Sequence, residues 1–176
     1  MRRISSGILV LIAILAVTPV RAQDRAAIIA NALQAAPASI TDHAGVMDWG
    51  GTMLREGTNG WICFPDPPNI DDAPMCMDEP WMAWAGAWQS KEPVTIDRPG
   101  IAYMLLGDAG ASNIDPHAEG PTAQNEWVVS GPHLMLIVPD PSSLDSLPTD
   151  PDNGGPWVMW KGTPYAHVMI PVPAAR

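Results

Sequence analysis

Two histidine–methionine pairs are the residues of this sequence whose types and spacing could do chemistry. His133 and Met135 open one apolar run, and His167 and Met169 open another. Because alternate residues of a β-strand point to the same face, each pair would set an imidazole beside a thioether. Imidazole and thioether together form a soft donor set that suits Cu(I). The pairs therefore predict a copper site, provided that their two strands are neighbours.

A second interpretation of these pairs needs no metal, and the sequence favours it. Ten methionines accompany only one phenylalanine and two tyrosines, so methionine could fill the irregular gaps of the core. Both strands would then be central strands of the sheet, and each histidine would bond a backbone carbonyl. On this interpretation we expect no cofactor, and copper is the alternative.

Another group of reactive side chains lies in the long segment GDAGASNIDPHAEG. Ser112, Asn113, Asp115 and His117 could serve a hydrolase-like enzyme that uses a histidine base with a carboxylate partner. The sequence contains no nucleophile elbow, metalloprotease helix, phosphate loop or dinucleotide fingerprint. Serine, asparagine and aspartate are also common turn formers. We therefore assign no catalytic residue and favour a non-catalytic protein over an enzyme.

Acidic residues crowd around the segment between the two cysteines and again near the C-terminus. Asp150, Asp152 and Asn153 precede two glycines there, and oxygen donors at alternate positions are what calcium needs. The spacing departs from that of a calcium-binding loop, because Gly154 stands where the third donor belongs. Exposed turns and helix caps are the favoured interpretation of both segments.

The N-terminus predicts a cleaved signal peptide over residues 1–22. Arg2 and Arg3 precede an apolar stretch of about 11 residues, which is too short to span a bilayer and has the length of a signal-peptide core. Val20–Ala22 then supplies the small residues that a signal peptidase reads. We expect residues 23–176 to form a single globular domain that is periplasmic or secreted.

Composition and charge exclude several classes of partner. The formal net charge is −10, which argues against nucleic acid and against anionic lipid, since both attract basic proteins. Hydrophobic residues make up 47% of the chain and it has eight tryptophans, so disorder is a poor description. The expected partner is a component of the cell envelope or a small ligand, with no membrane contact after cleavage.

Cys63 and Cys76 are the only cysteines of the chain. An exported protein meets an oxidising environment, and an even number of cysteines there predicts disulfide pairing. Their spacing lacks the Cys-x-x-Cys signature of catalytic redox sites. We therefore predict one structural disulfide.

Helix signals occur twice in the predicted domain. Asp24 is expected to cap a helix that Pro37 ends, and Asp78 is expected to cap a second one. One face of the second helix would carry three tryptophans, which are Trp81, Trp84 and Trp88. This tryptophan stripe indicates core packing.

Short apolar runs predict an α+β domain with a mainly antiparallel sheet, one packed Trp-rich helix and long Pro/Gly/Asp-rich loops. Three runs bounded by Gly or Pro suit strands buried on both faces, namely Ile101–Leu106, His133–Val138 and Val168–Val172. Trp127–Ser130 and Trp157–Trp160 are expected to pair with the later two runs. Gly50-Gly51 and Asn59-Gly60 are typical of hairpin turns.

Several strings of the sequence resemble a family of uncharacterised exported bacterial proteins. They run over nearly all of residues 45–173 and are REGTNGWICFPDPP, DAPMCMDEPW, YMLLGDAGASNIDP, GPHLMLIVPDP, LPTDPDNGG and WVMWKGTPYAHVMIPV. The resemblance implies a secreted or periplasmic protein in which the two cysteines are paired. It implies no activity, cofactor or active-site residue.

Overall fold

An eight-stranded sheet forms the centre of the protein in a computed structural model that describes residues 20–173. Its order is β2-β1-β3-β4-β5-β8-β10-β9, and β6 and β7 form a separate two-stranded sheet. Every pair is antiparallel except β1 with β3. The strands are β1 Gly45–Met47, β2 Met53–Arg55, β3 Ile62–Phe64, β4 Met75–Met77, β5 Gly100–Met104, β6 Ala111–Ser112, β7 Trp127–Val128, β8 His133–Ile137, β9 Trp157–Met159 and β10 His167–Pro171. This architecture confirms the predicted α+β class.

Within residues 20–173, three helices accompany the sheet, with one 3-10 turn at Pro141–Leu144. They are α1 Val20–Ala32, α2 Ala38–Thr41 and α3 Glu79–Ser90. No helix within residues 20–173 is long and apolar enough to cross a membrane. The predicted signal peptide, residues 1–22, lies outside the described residues except for the last three, which begin α1.

Helix α3 begins where the sequence predicted, and for the predicted reasons. The side chain of Asp78 accepts a hydrogen bond from the backbone N–H of Trp81 at 3.0 Å, which satisfies one of the free N–H groups of the first turn. Pro80 occupies the first turn, where no backbone donor is needed. The helix ends at Lys91, which adopts the left-handed conformation.

The prediction for the first helix was wrong at both ends. Asp24 lies inside α1 and does not cap it, because Val20–Gln23 continues the helix with residues that do not break one. At the other end α1 stops at Ala32, and tighter turns lead to Pro37, which precedes α2.

Side chains alternate between two covered faces of the sheet. In β5 and β8 every second residue is buried and the others are half-buried. One face packs against α3 and carries the largest cluster of buried residues. The other face carries two clusters of buried residues. One includes residues of α1 and both cysteines, and the second includes Leu144 of the 3-10 turn. Coverage of both faces explains the continuous apolar runs of the sequence.

The disulfide is confirmed between Cys63 and Cys76. These residues stand directly opposite each other on β3 and β4, and both side chains are fully buried. The bond therefore closes the acidic, proline-rich loop that joins the two strands.

One of the two predicted pairings of the tryptophan strands differs from the prediction. Trp127–Val128 pairs with Ala111–Ser112 and not with β8. Two hydrogen bonds accompany this pairing, because the backbone N–H of Asp108 donates to the carbonyl of Ser130 and the carboxylate of Asp108 accepts from the N–H of Ser130. The predicted pairing of Trp157–Met159 with β10 is confirmed.

The turn at Asn59-Gly60 does not form a hairpin, whereas the turn at Gly50-Gly51 joins β1 and β2 as predicted. After Asn59 the chain enters β3, which lies parallel to β1. A turn signal fixes a local reversal of direction, but the pairing partner depends on which strand offers a free edge.

Candidate functional site

Methionine side chains dominate the face of the sheet that α3 covers. Met135 on β8 and Met169 on β10 are directly opposite each other. The same row continues across the sheet through Ala102 to Met77 on one side, and to Trp157 on the other. Alternation along the strands places Met75, Met104 and Met159 on this face as well. Methionine side chains from β4, β5, β8, β9 and β10 therefore lie on this face of the sheet.

A cavity of about 410 Å³ lies between this face and α3. Its lining is almost entirely apolar and contains six of the ten methionines and five of the eight tryptophans. These residues are Met75, Met77, Met104, Met135, Met159, Met169, Trp49, Trp81, Trp84, Trp88 and Trp160. His167 and Asp108 are its two ionisable lining residues. We call this space the Met/Trp cavity.

The floor of the Met/Trp cavity is buried and its rim is exposed. Met169 and Trp81 are almost inaccessible to solvent, whereas Trp49 and Ile70 are exposed. The indole N–H of Trp49 donates to the carbonyls of Pro65 and Asp66 at 2.8 and 3.1 Å. The cavity therefore opens on the side of the loop that the disulfide closes.

Stacked indoles form one wall of the cavity. The ring of Trp84 is nearly parallel to that of Trp160, with the centroids 5.9 Å apart. Trp88 stacks on both rings at 6.3 and 5.8 Å, and its indole N–H donates to the carbonyl of Pro116. Offset stacking of this kind is a favourable aromatic geometry, so the wall is a fixed surface.

His167 is the buried ionisable residue of the cavity. Its Nδ1 lies 3.0 Å from the carbonyl oxygen of Tyr165, and a carbonyl only accepts, so Nδ1 carries the proton. The ring meets Trp81, Trp84 and Trp160 edge to face at centroid distances of 5.7, 5.5 and 4.9 Å. Burial lowers the pKa of His167 to about 4, against the opposing effect of the Tyr165 carbonyl. The imidazole is therefore neutral, with its lone pair on Nε2.

His133 does not line the Met/Trp cavity. Its Nδ1 bonds the carbonyl oxygen of Gly131 at 2.7 Å, and its Nε2 lies 3.9 Å from a carboxylate oxygen of Asp108. Burial lowers the pKa of His133, although the Gly131 carbonyl and the Asp108 charge act in the opposite direction. Within residues 20–173, His133 Nε2 and Ser130 Oγ are the buried side-chain atoms without a hydrogen-bond partner.

The structure thus brings together three of the four predicted donors. Met135, Met169 and His167 line one cavity, while His133 lies at the far end of β8, opposite Pro171. Both strands are central, and each histidine bonds a backbone carbonyl. Central strands and carbonyl-bonded histidines were expected on the interpretation without a metal. A histidine whose Nδ1–H bonds a carbonyl can also bind a metal ion through Nε2.

The cluster in the long loop has a structural role. Ser112 Oγ accepts from the backbone N–H groups of Ile114 and Asp115 and donates to the carbonyl of Asn125. Its own carbonyl accepts the indole N–H of Trp160 at 2.6 Å. The hydroxyl is therefore occupied by loop contacts, and none of its hydrogen bonds is to a histidine.

Asn113 and His117 also support the tryptophans. The side chain of Asn113 accepts the indole N–H of Trp157 at 3.2 Å, and its backbone carbonyl accepts the N–H of Trp160 at 2.8 Å. The His117 ring stacks on Trp88 with the centroids 6.2 Å apart. The carboxylate of Asp115 accepts from the backbone N–H of His117. The loop cluster therefore packs against the outer side of the tryptophans and hydrogen-bonds to them.

Carboxylates of the two acidic segments are used in caps and turns. Asp66 accepts from the side chain of Asn31 and from the N–H of Ala73, and Asp150 accepts from the N–H of Asp152. In the part of the chain that the structure describes, no three His, Cys, Asp or Glu side chains converge to hold an ion. The arrangement offers no support for the calcium alternative.

The Met/Trp cavity can bind an apolar or soft ligand, and sequence reasoning found only part of it. Met75, Met77, Met104 and Met159 were missed, although alternation within MCM, GIAYM and WVM places each of them on one face of its strand. The neutral imidazole of His167 could accept a proton, but the described lining of the cavity contains no serine, threonine, cysteine or lysine nucleophile beside it. Comparison with protein-family models, with curated proteins and with solved structures gives no match to this chain.

Proposed function

We propose that this protein is an exported, non-catalytic binding protein whose binding site is the Met/Trp cavity. The observation that carries the proposal is an apolar cavity of about 410 Å³ with a fixed indole wall and an exposed rim. Small-ligand sites are commonly concave, mainly apolar and of this size. Methionines that filled a core would leave no such space, because protein interiors are close-packed.

Two observations support export. The N-terminal sequence has the features of a signal peptide, and a buried disulfide joins β3 to β4. Disulfides persist in the oxidising compartments outside the cytoplasm. Among the described lining residues there is no serine, threonine or cysteine, which favours a binding role over a hydrolase-like one.

Uptake of a neutral apolar dye tests whether the cavity binds ligands. N-phenyl-1-naphthylamine suits the acidic protein because it carries no charge, and five of the eight tryptophans line the cavity as energy donors. We expect saturable binding at one site, with energy transfer from tryptophan to the dye.

A matched pair of variants on α3 locates the dye. Ala85 lines the cavity, whereas Ala83 is exposed on the same helix. Ala85→Leu places three more carbons in the cavity and should weaken dye binding by at least about tenfold, which corresponds to roughly 1.4 kcal/mol. Ala83→Leu should leave the affinity unchanged. Binding that is absent, or equally affected by both variants, would overturn the proposal.

A further inference from the structure

We propose that the floor of the Met/Trp cavity is a site for Cu(I), held by three methionines and one histidine. The donors are Met135, Met159, His167 and Met169. This inference rests on the proposed function, because the ion would occupy part of the same cavity. It differs from the site predicted from the sequence, because Met159 replaces His133.

Strand register brings the four donors together. Met135 faces Met169 across the β8–β10 pair, and Met159 faces His167 across the β9–β10 pair. His167 and Met169 are two residues apart on β10 and so share a face. Directly opposed residues have Cβ atoms about 4.5–5.5 Å apart. His167 and Met169 on β10 lie between Met135 on β8 and Met159 on β9, so flexible thioethers border the imidazole from three adjacent strands.

His167 has the hydrogen bonding of a metal ligand. Its Nδ1–H donates to the Tyr165 carbonyl, which fixes the ring and leaves the Nε2 lone pair unused. Metal-ligating histidines almost always donate their second ring N–H to such a partner. The side chain is only 2% exposed, but Nε2 is not among the fully enclosed atoms that lack a partner within residues 20–173. Nε2 therefore borders the open space of the cavity, where a ligand can reach it.

The chemistry of the lining selects a soft, singly charged ion. Thioethers bind Cu(I) and offer little to Ca²⁺ or Mg²⁺, which need oxygen donors. The ring centroids of Trp160 and His167 are 4.9 Å apart, so a cation held by His167 would lie close to an aromatic ring, which can attract it. A net charge of −10 draws cations towards the protein. The cysteines cannot compete for the ion, because they are joined in a disulfide.

Competition with bathocuproine disulfonate measures Cu(I) binding to the full-length protein under anaerobic conditions. Ascorbate is the reductant, because a thiol would attack the disulfide. We expect one Cu(I) per chain. Met135→Leu/Met169→Leu should lower the affinity by at least about 100-fold, since loss of even a supporting partner of a ligand costs about 10–100-fold. Leucine nearly conserves the methionine volume, and urea unfolding checks that the variant is folded.

Met53→Leu is the matched control, because Met53 lies on β2 at the opposite end of the sheet and does not line the cavity. It should retain wild-type Cu(I) affinity. Equal Cu(I) affinity of the double variant and the wild type would overturn the inference, as would binding of Zn²⁺ as tight as that of Cu(I). Dye uptake without Cu(I) binding would overturn the copper site alone. Failure of both measurements would also remove the proposed function.

Discussion

His167 is an imidazole enclosed by three indoles and held by one backbone hydrogen bond. Such an environment favours the neutral ring, because a charge there would lose its hydration without gaining a carboxylate partner. His133 is equally buried but has Asp108 at 3.9 Å. The two histidines of the His-x-Met repeat therefore occupy different electrostatic environments, although their local sequences are alike.

Protonation of His167 makes the stability of the metal-free protein depend on pH. The pKa falls from 6.5 in the unfolded chain to about 4 in the folded protein, so unfolding takes up a proton between these values. Above pH 6.5 the imidazole is neutral in both the folded and the unfolded protein, so burial of His167 does not reduce the free energy of unfolding there. As the pH falls from 6.5 to 4, only the unfolded chain binds the proton, and the free energy of unfolding decreases by about 3 kcal/mol in total. Urea unfolding at several pH values, with NMR titration of the imidazole, measures this. An imidazole that titrates near pH 6.5 in the folded protein would contradict it.

Helix α3 is the element that encloses the cavity, and it is fixed at both ends. One carboxylate oxygen of Asp78 accepts from the N–H of Trp81, and the other accepts from the N–H of Ile101 on β5 at 2.8 Å. Beyond the C-terminal end of the helix, the hydroxyl of Tyr165 donates to the carbonyl of Glu92 at 3.0 Å. These bonds set the distance between the indole wall and the sheet.

Asp78→Ala should lower the free energy of unfolding by about 2 kcal/mol, because it removes a helix cap and a bond from the helix start to the sheet. Dye binding should weaken as well, since Trp81 belongs to the cavity lining. Asp71→Ala is the control, because Asp71 is exposed in the loop between the cysteines. Urea unfolding of both variants decides the matter. Equal stabilities would show that the Asp78 bonds contribute nothing.

The whole molecule places its covalent crosslink and its cavity on opposite faces of one sheet. The cysteines belong to the cluster beside α1, while the methionines face α3. The loop between the cysteines connects the two faces, because Pro67, Ile70 and Ala73 in it line the cavity. The disulfide therefore limits how far the rim can open.

Removal of the disulfide should affect both stability and binding. The sequence separation of the cysteines is 13, and a crosslink of about this length stabilises by roughly 3 kcal/mol through the unfolded chain. Cys63→Ala/Cys76→Ala should lose about this much in urea unfolding and bind the dye more weakly. Wild-type protein treated with dithiothreitol should lose a similar amount. Unfolding midpoints that are identical with and without reductant would contradict the prediction.

Sequence reasoning succeeded where local chemistry decides the structure. The cap at Asp78, the tryptophan stripe of α3 and the Cys63–Cys76 bond each follow from residues close in sequence or from a unique pair of thiols. Pairings across long distances were less predictable. Strand β7 pairs with β6, and Asp108 bonds Ser130 beside this pair. These are contacts between segments distant in sequence, which the residues around Trp127 do not reveal by themselves.

By itself the sequence determined the class of fold, the disulfide and the cap of α3, because composition, a unique pair of thiols and capping need no knowledge of distant contacts. Only the tertiary structure decided which methionines meet. Register across β8, β10 and β9 places Met159 beside His167 and leaves His133 beside Asp108. The order of strands depends on the packing of the whole chain. For that reason a repeated His-x-Met motif could identify candidate donors without showing which of them share a cavity.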